Sequence, residues 1–315
     1  MRFFCCCTKV NQAESLVNQS LTDQSSQGDY QTIQRIEDVS RSQADNVIFE
    51  SINVKIIRYH QVTGSSVIKK IAKTAISKQQ LYHELIMLMH LKRNISPLII
   101  NFIGYSNSPG DIGSITFEDT GDADDLFNCL LPQSKFHSLV LEYRHMLMRQ
   151  CAEAISFCVS RGVVHHDIKP ENILCTFTNG IAGIKLIDFG LSRLLSDRPC
   201  YAGTIGYRAP EILNGKGAKD TTDIWSLFVV FAIMLAGANI DVLEPGTGFR
   251  TERAAHKRFY TNPESHLINV LSPYDVSDRD WWVGVLKSMS QENAQQRISA
   301  ESLVTTLENR FTAAV

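Results

Sequence analysis

The sequence predicts an α+β chain, with a small β-rich half followed by a larger helical half. Three observations predict it. Clusters of β-branched and aromatic residues crowd the stretch from Asn46 to Phe117. Apolar residues at helical spacing dominate after Gly121. Residues 8–45 are rich in Gln, Ser, Asn and Asp and carry no sustained apolar period, so they read as a disordered polar leader. At about 150 residues per domain, 315 residues suit two lobes with ample core. With 31 Lys and Arg against 33 Asp and Glu, the net charge is −2. That leaves no basic field for nucleic acid and no acidic tail. A hydrophobic share of 44% excludes wholesale disorder.

From Asn46, the residues Val47, Phe49, Ile52, Val54, Ile56 and Ile57 have strand composition. Thr63-Gly64-Ser65-Ser66 reads as a turn, and Val67-Ile68-Lys69-Lys70-Ile71 as the next strand. Leu81, Leu85, Leu88 and Met89 give residues 78–92 a helical period, and strand patterns recur around Leu98–Tyr105 and Ser114–Phe117. Residues 137–160 carry a broad apolar face along one long helix. Ile224–Ala236 is almost purely apolar but shorter than the roughly 18 to 20 residues of a membrane span. It therefore reads as a buried core helix.

Eight cysteines fall as a triplet, Cys5, Cys6 and Cys7, and five scattered single positions. The absence of any C-x-x-C pair argues against structural zinc, and the scatter argues for a reduced, intracellular, cytoplasmic protein. Arg2 stands where N-myristoylation requires glycine, and the apolar run Phe3–Cys7 is too short for a signal peptide. Two readings of the triplet stay open: S-palmitoylation that tethers the chain to a membrane, or a tail with reactive thiols.

The chemistry concentrates in Val163-Val164-His165-His166-Asp167-Ile168-Lys169-Pro170-Glu171-Asn172-Ile173-Leu174, followed by Lys185-Leu186-Ile187-Asp188-Phe189-Gly190. Both stretches resemble the catalytic loop and metal-binding turn of the eukaryotic protein kinase superfamily, serine/threonine type, in order and at the family's spacing. Gly203–Glu211 resembles the end of an activation segment, and Asp223-Ile224-Trp225-Ser226 the start of the central buried helix. Arg297 resembles the late arginine that pairs with the glutamate of Ala209-Pro210-Glu211. The resemblance implies a two-lobed fold over residues 46–312, with a small lobe at about 46–120 holding one main helix and a helical lobe at about 121–312.

It also implies roles. Asp167 would be the catalytic base and Lys169 would neutralise charge on the transferring phosphoryl group. Asn172 and Asp188 would hold Mg²⁺, whose preference is for oxygen ligands. Lys169-Pro170-Glu171-Asn172 and Thr204 match the serine/threonine type. Ser66–Ile71 resembles the strand carrying the ATP-phosphate lysine. Matching the two makes it Lys69, with Glu84 as ion-pair partner and Lys70 on the opposite side of the strand. Ile115–Thr120 resembles the hinge, with Phe117 as gatekeeper and the backbones of Glu118 and Thr120 bonding adenine; Asp124 or Asp125 would reach the ribose.

Three departures stand out. No glycine lies between Gly28 and Gly64, so the phosphate loop G-x-G-x-x-G is missing. His166 replaces the arginine that pairs with a phosphorylated activation segment, which implies activity independent of that phosphorylation. Phe228 occupies the glycine position of the central helix. The expected function is transfer of the ATP γ-phosphate to Ser/Thr hydroxyls of a protein substrate, with ATP and Mg²⁺ required. The alternative is a pseudokinase acting as a binding or scaffold module. A small-molecule kinase is disfavoured because Ala209-Pro210-Glu211 and the segment before it resemble a peptide-docking platform.

Overall fold

A computed structural model describes residues 46–60, 65–92, 96–108, 111–178, 181–237, 249–273, 276 and 278–311. The polar leader with Cys5, Cys6 and Cys7, and positions 63 and 64 of the expected turn, lie outside the described residues. Two compact units divide the chain. Among the described residues, one comprises those from 46 to 90 together with 102–117, and the other those from 91 to 101 together with 118–311.

The first unit is built on a five-stranded sheet of order β1-β2-β3-β5-β4, made of β1 (Asn46–Glu50), β2 (Val54–His60), β3 (Ser66–Ala72), β4 (Phe102–Ser108) and β5 (Asp111–Glu118). The apolar run from Val47 to Ile57 is therefore two strands. Ser51 breaks it: its Oγ accepts the N–H groups of Asn53 at 3.2 Å and Val54 at 3.1 Å, and its own N–H donates to Val54 O at 2.8 Å. A short polar side chain that satisfies nearby amides makes a turn without glycine. β3 leads into α1 (Ala75–Leu91), whose start is fixed by a reciprocal cap. Thr74 Oγ1 accepts the Ser77 N–H, and the Thr74 N–H donates to Ser77 Oγ. Leu81, Glu84, Leu85 and Leu88 share the buried side of α1.

In the second unit, α2 (Leu126–Leu130) and α3 (His137–Ser160) precede β7 (Val163–Val164), while β6 (Asp124–Asp125), β8 (Ile173–Thr178) and β9 (Ile181–Leu186) form a small sheet of order β6-β8-β9. β10 (Arg193–Leu194) pairs with β7, so the two ends of the chemistry-bearing region are stitched together. Val140, Leu147, Met148, Cys151, Ile155 and Cys158 bury one face of α3. After α4 (Pro210–Leu213) comes α5 (Thr222–Ala236), which is buried along its whole length. Phe228 packs there against Trp225 and Phe259, with ring centroids 5.4 and 5.6 Å apart, which accounts for an aromatic residue at the glycine position. No helix among the described residues is long and apolar enough to cross a membrane. Helices α6 (Phe249–Thr261), α7 (Pro263–Leu271), α8 (Arg279–Met289) and α9 (Ala300–Phe311) complete the unit.

Two buried polar groups in this core differ sharply in how they are satisfied. Arg297 forms a two-point pair with Glu211 at 2.8 and 2.9 Å and donates to Thr221 O and Gln291 O. Burial pushes the Glu211 carboxyl up, but the hydrogen bonds and charge of Arg297 outweigh it, and the net shift is downward. His256 lies 4.7 Å from Trp225, and neither ring nitrogen has a partner among the described residues. Burial, then the charge of Arg297, lower its pKa to about 4 against the ordinary 6.5, with Glu211 opposing. The unfolded chain therefore takes up this proton first. Stability is expected to be flat above about pH 6.5 and to fall by up to about 3 kcal/mol between pH 6.5 and 4. Urea melts of wild type and His256→Phe across that range should converge at neutral pH and separate in acid; parallel curves would refute the assignment.

Candidate active site

The sequence-predicted groups of the second unit converge on one carboxylate. Asp167 lies in the loop after β7 and is 7% exposed. Its Oδ1 accepts the Thr204 N–H at 3.0 Å and the Thr204 hydroxyl at 2.6 Å. Its Oδ2 accepts the Asn172 amide at 3.0 Å and lies 3.2 Å from Lys169 Nζ, which also donates to Thr204 Oγ1 at 3.0 Å. Both oxygens are thus aimed by donors from two separate segments, so the carboxylate is held in one orientation before any substrate arrives.

The loop is anchored from below. Asp223, in the first turn of α5 and buried, accepts the N–H groups of His165 at 2.6 Å and His166 at 2.9 Å. Those bonds help hold His166 in the left-handed conformation, φ 68°. Gly203, φ 100°, is required beside it, because a Cβ there would sit 2.4 Å from His166 O. His165 Nδ1 accepts the Asp167 N–H at 3.3 Å, which leaves Nε2 to donate to Ile187 O at 3.0 Å. This imidazole therefore couples the catalytic loop to the turn carrying Asp188. Burial lowers the His166 pKa, which favours the neutral form of the ring that stands at the arginine position.

Asn172 and Asp188 are the two residues expected to offer oxygens to Mg²⁺. Asn172 spends Nδ2 on Asp167 O and Oδ2, and those two bonds leave its Oδ1 uninvolved. Its backbone O accepts the Ile187 N–H at 3.0 Å, placing it next to the Asp188 turn. Asp188 has φ 62° and its carboxylate accepts the Gly190 N–H. An amide oxygen and a carboxylate are a donor set suited to Mg²⁺.

In the first unit, the geometry corrects one expectation. Glu84, 2% exposed, pairs with Lys70 at 2.7 Å and not with Lys69. Side chains alternate along β3, so Lys70 shares a side with Ile68, and Lys69 shares the other with Val67. The motif match chose the wrong side of the strand, and only the position of α1 discriminates between adjacent lysines. The β1–β2 turn is closed on itself. The amides of Ser51, Asn53 and Val54 are all spent within it, and Lys73 Nζ ties Glu50 Oε1 and Ser51 O to the end of β3.

Of the expected adenine and ribose groups, Glu118 spends its N–H on Asn101 O and its carboxylate on the Asn101 N–H and Lys185. Thr120 is half-buried two residues on. Asp125 caps α2 by accepting the Asn128 N–H, and Asp124 accepts the Asp125 N–H, so both serve the helix start. One group that sequence reasoning missed is Glu252 on α6, whose carboxylate accepts the Gly206 N–H and pairs with Arg208. No local motif marks it.

The protein kinase domain family matches residues 53–307. A calcium/calmodulin-dependent protein kinase of Emericella nidulans is 30% identical over 182 residues, covering 56% of this chain and 42% of that protein. An Aurora kinase of Eremothecium gossypii is 32% identical over 164 residues, covering 49% and 42% respectively. A calcium/calmodulin-dependent protein kinase type IV of Mus musculus is 28% identical over 194 residues, covering 61% and 40%. The chain spans less than half the length of these curated relatives.

Proposed function

Because the chain belongs to the protein kinase domain family, we propose that it transfers the ATP γ-phosphate to serine and threonine hydroxyls of a protein substrate. The observation that carries this reading is the Asp167 carboxylate held by Thr204, Lys169 and Asn172. Asp167 accepts the proton of the substrate hydroxyl as its oxygen bonds to the γ-phosphorus. The bond from that phosphorus to the β-bridging oxygen breaks, and ADP leaves. Lys169 neutralises charge on the phosphoryl group while bonded to Thr204, the pairing expected of the serine/threonine type. Asn172 and the Asp188 carboxylate would hold Mg²⁺. When bound, the ion neutralises charge on the phosphate oxygens. Lys70, steadied by Glu84, takes the phosphate-binding role first given to Lys69. The Glu118 carbonyl and Thr120 backbone serve adenine.

The alternative, a pseudokinase acting as a binding or scaffold module, is favoured by one observation. The β1–β2 turn spends three of its amides internally, so it offers phosphates little of the backbone cradle that a glycine loop provides. Incubation with labelled Mg-ATP and a mixed peptide library, followed by phosphoamino-acid analysis, separates the two. Label on serine and threonine supports catalysis. Folded protein that transfers nothing supports the scaffold reading. The proposal includes a cytoplasmic protein tethered to a membrane by S-acylation of Cys5, Cys6 and Cys7. Hydroxylamine-sensitive acyl exchange that vanishes when all three are serine tests that tether.

A further inference from the structure

The segment from Gly203 to Ala209 precedes α4 and touches the catalytic carboxylate through Thr204. It is fastened elsewhere without any phosphate. The Gly206 N–H, at φ 91°, donates to Glu252 Oε1 at 2.8 Å. Arg208 Nη1 lies 3.4 Å from Glu252 Oε2, and Arg208 Nε donates to Gly203 O at 2.7 Å. Ser226 on α5 donates to Tyr207 O at 2.7 Å. Glu252 is 1% exposed, so this carboxylate has been desolvated to make two contacts to one short segment. Burial pushes the Glu252 carboxyl up by more than the Gly206 N–H and Arg208 pull it down, so the acid costs stability where it sits, and both of its partners belong to that segment. Meanwhile His166, buried and favoured in its neutral form, offers little cationic grip on a phosphorylated residue.

We propose that Glu252 is a positioning residue that holds segment 203–209 in its substrate-docking conformation, so that the order a phosphate would supply elsewhere is built in here. One carboxylate oxygen fixes the backbone at Gly206. The other holds Arg208, which closes the segment back onto Gly203, the residue whose missing Cβ admits His166 O. Glu252 therefore acts on phosphoacceptor docking through the segment, without touching the reacting atoms. This inference rests on reading the segment as the phosphoacceptor platform.

The test uses the full chain and two readouts. Hydrogen exchange of peptides spanning 203–209 is compared in wild type, Glu252→Gln, Glu252→Ala and the surface control Glu264→Gln, each with and without phosphatase treatment. KM and kcat for a serine peptide are measured in parallel. Wild type is expected to be protected equally before and after phosphatase. Glu252→Ala should exchange at least about tenfold faster across the segment. Glu252→Gln keeps an acceptor for Gly206 but loses the charge on Arg208, so it should fall between. Its peptide KM should rise about tenfold with kcat lowered less than about threefold. Glu264→Gln should match wild type. If Glu252→Ala does not fold, Glu252→Gln alone decides. Unchanged exchange in the variants, or loss of wild-type protection on dephosphorylation, would overturn the proposal, as would equal changes in KM and kcat. A wild type that transfers no phosphate, yet whose segment loosens in the Glu252 variants, would overturn the catalytic reading and leave the fastening supported.

Discussion

Asp167→Asn is expected to lower the single-turnover rate of phosphoryl transfer by about 10³-fold, within the range that a positioned base contributes. The amide cannot take the hydroxyl proton. It also meets the wrong neighbours, because every partner of the Asp167 carboxylate among the described residues is a donor: Thr204 twice at Oδ1, and Asn172 and Lys169 at Oδ2. An NH2 group at either position faces donors, so the amide loses orientation as well as basicity. The surrounding backbone bonds from Asp223 do not involve this side chain, so the melting temperature should move by only a few degrees. Rapid-quench measurements on the wild type and the variant, with circular dichroism melts beside them, check both halves. A rate within tenfold of wild type would remove Asp167 from the role of base.

Arg297→Leu is expected to destabilise the second unit by about 3–5 kcal/mol, the usual cost of leaving one partner of a buried pair uncompensated. Glu211 would then be a buried carboxylate holding only the Thr222 hydroxyl among the side-chain partners seen here, and Thr221 O and Gln291 O would lose their donors. Set against a typical total of about 5–15 kcal/mol, that removes a large share of the stability. The double variant Glu211→Leu/Arg297→Leu removes the stranded charge as well and should recover part of the loss. Urea denaturation of the wild type, the single and the double variant measures this. A single variant within 1 kcal/mol of wild type, on the scale of about 1.4 kcal/mol per tenfold in equilibrium constant, would show that the pair is not structural.

Much of this architecture was legible because periodicity reports burial. The long helix at 137–160 and the apolar helix ending at Ala236 carry patterns that packing then uses directly. The cluster around Asp167 was legible for another reason: Asp167, Lys169 and Asn172 lie within six consecutive residues, so one loop brings their side chains together. Features that depend on a distant partner were not legible. Ser51 divides what composition presents as one strand, through hydrogen bonds that composition does not encode. Lys69 and Lys70 are chemically identical neighbours, and only the placement of Glu84 distinguishes them. Glu252 meets Gly206 from 46 residues away, with no motif at either end.

The most direct measurement of the central claim is γ-phosphate transfer from Mg-ATP to a serine peptide by wild type, Lys69→Met and Lys70→Met, prepared and folded alike. The expected result is transfer by wild type, a rate within a few-fold of it for Lys69→Met, and a loss of about 10²-fold or more for Lys70→Met, comparable to removing one preorganised charge-stabilising donor. A loss confined to Lys69→Met would contradict the geometry of the Lys70–Glu84 pair. Folded wild type that transfers nothing would contradict the catalytic reading itself.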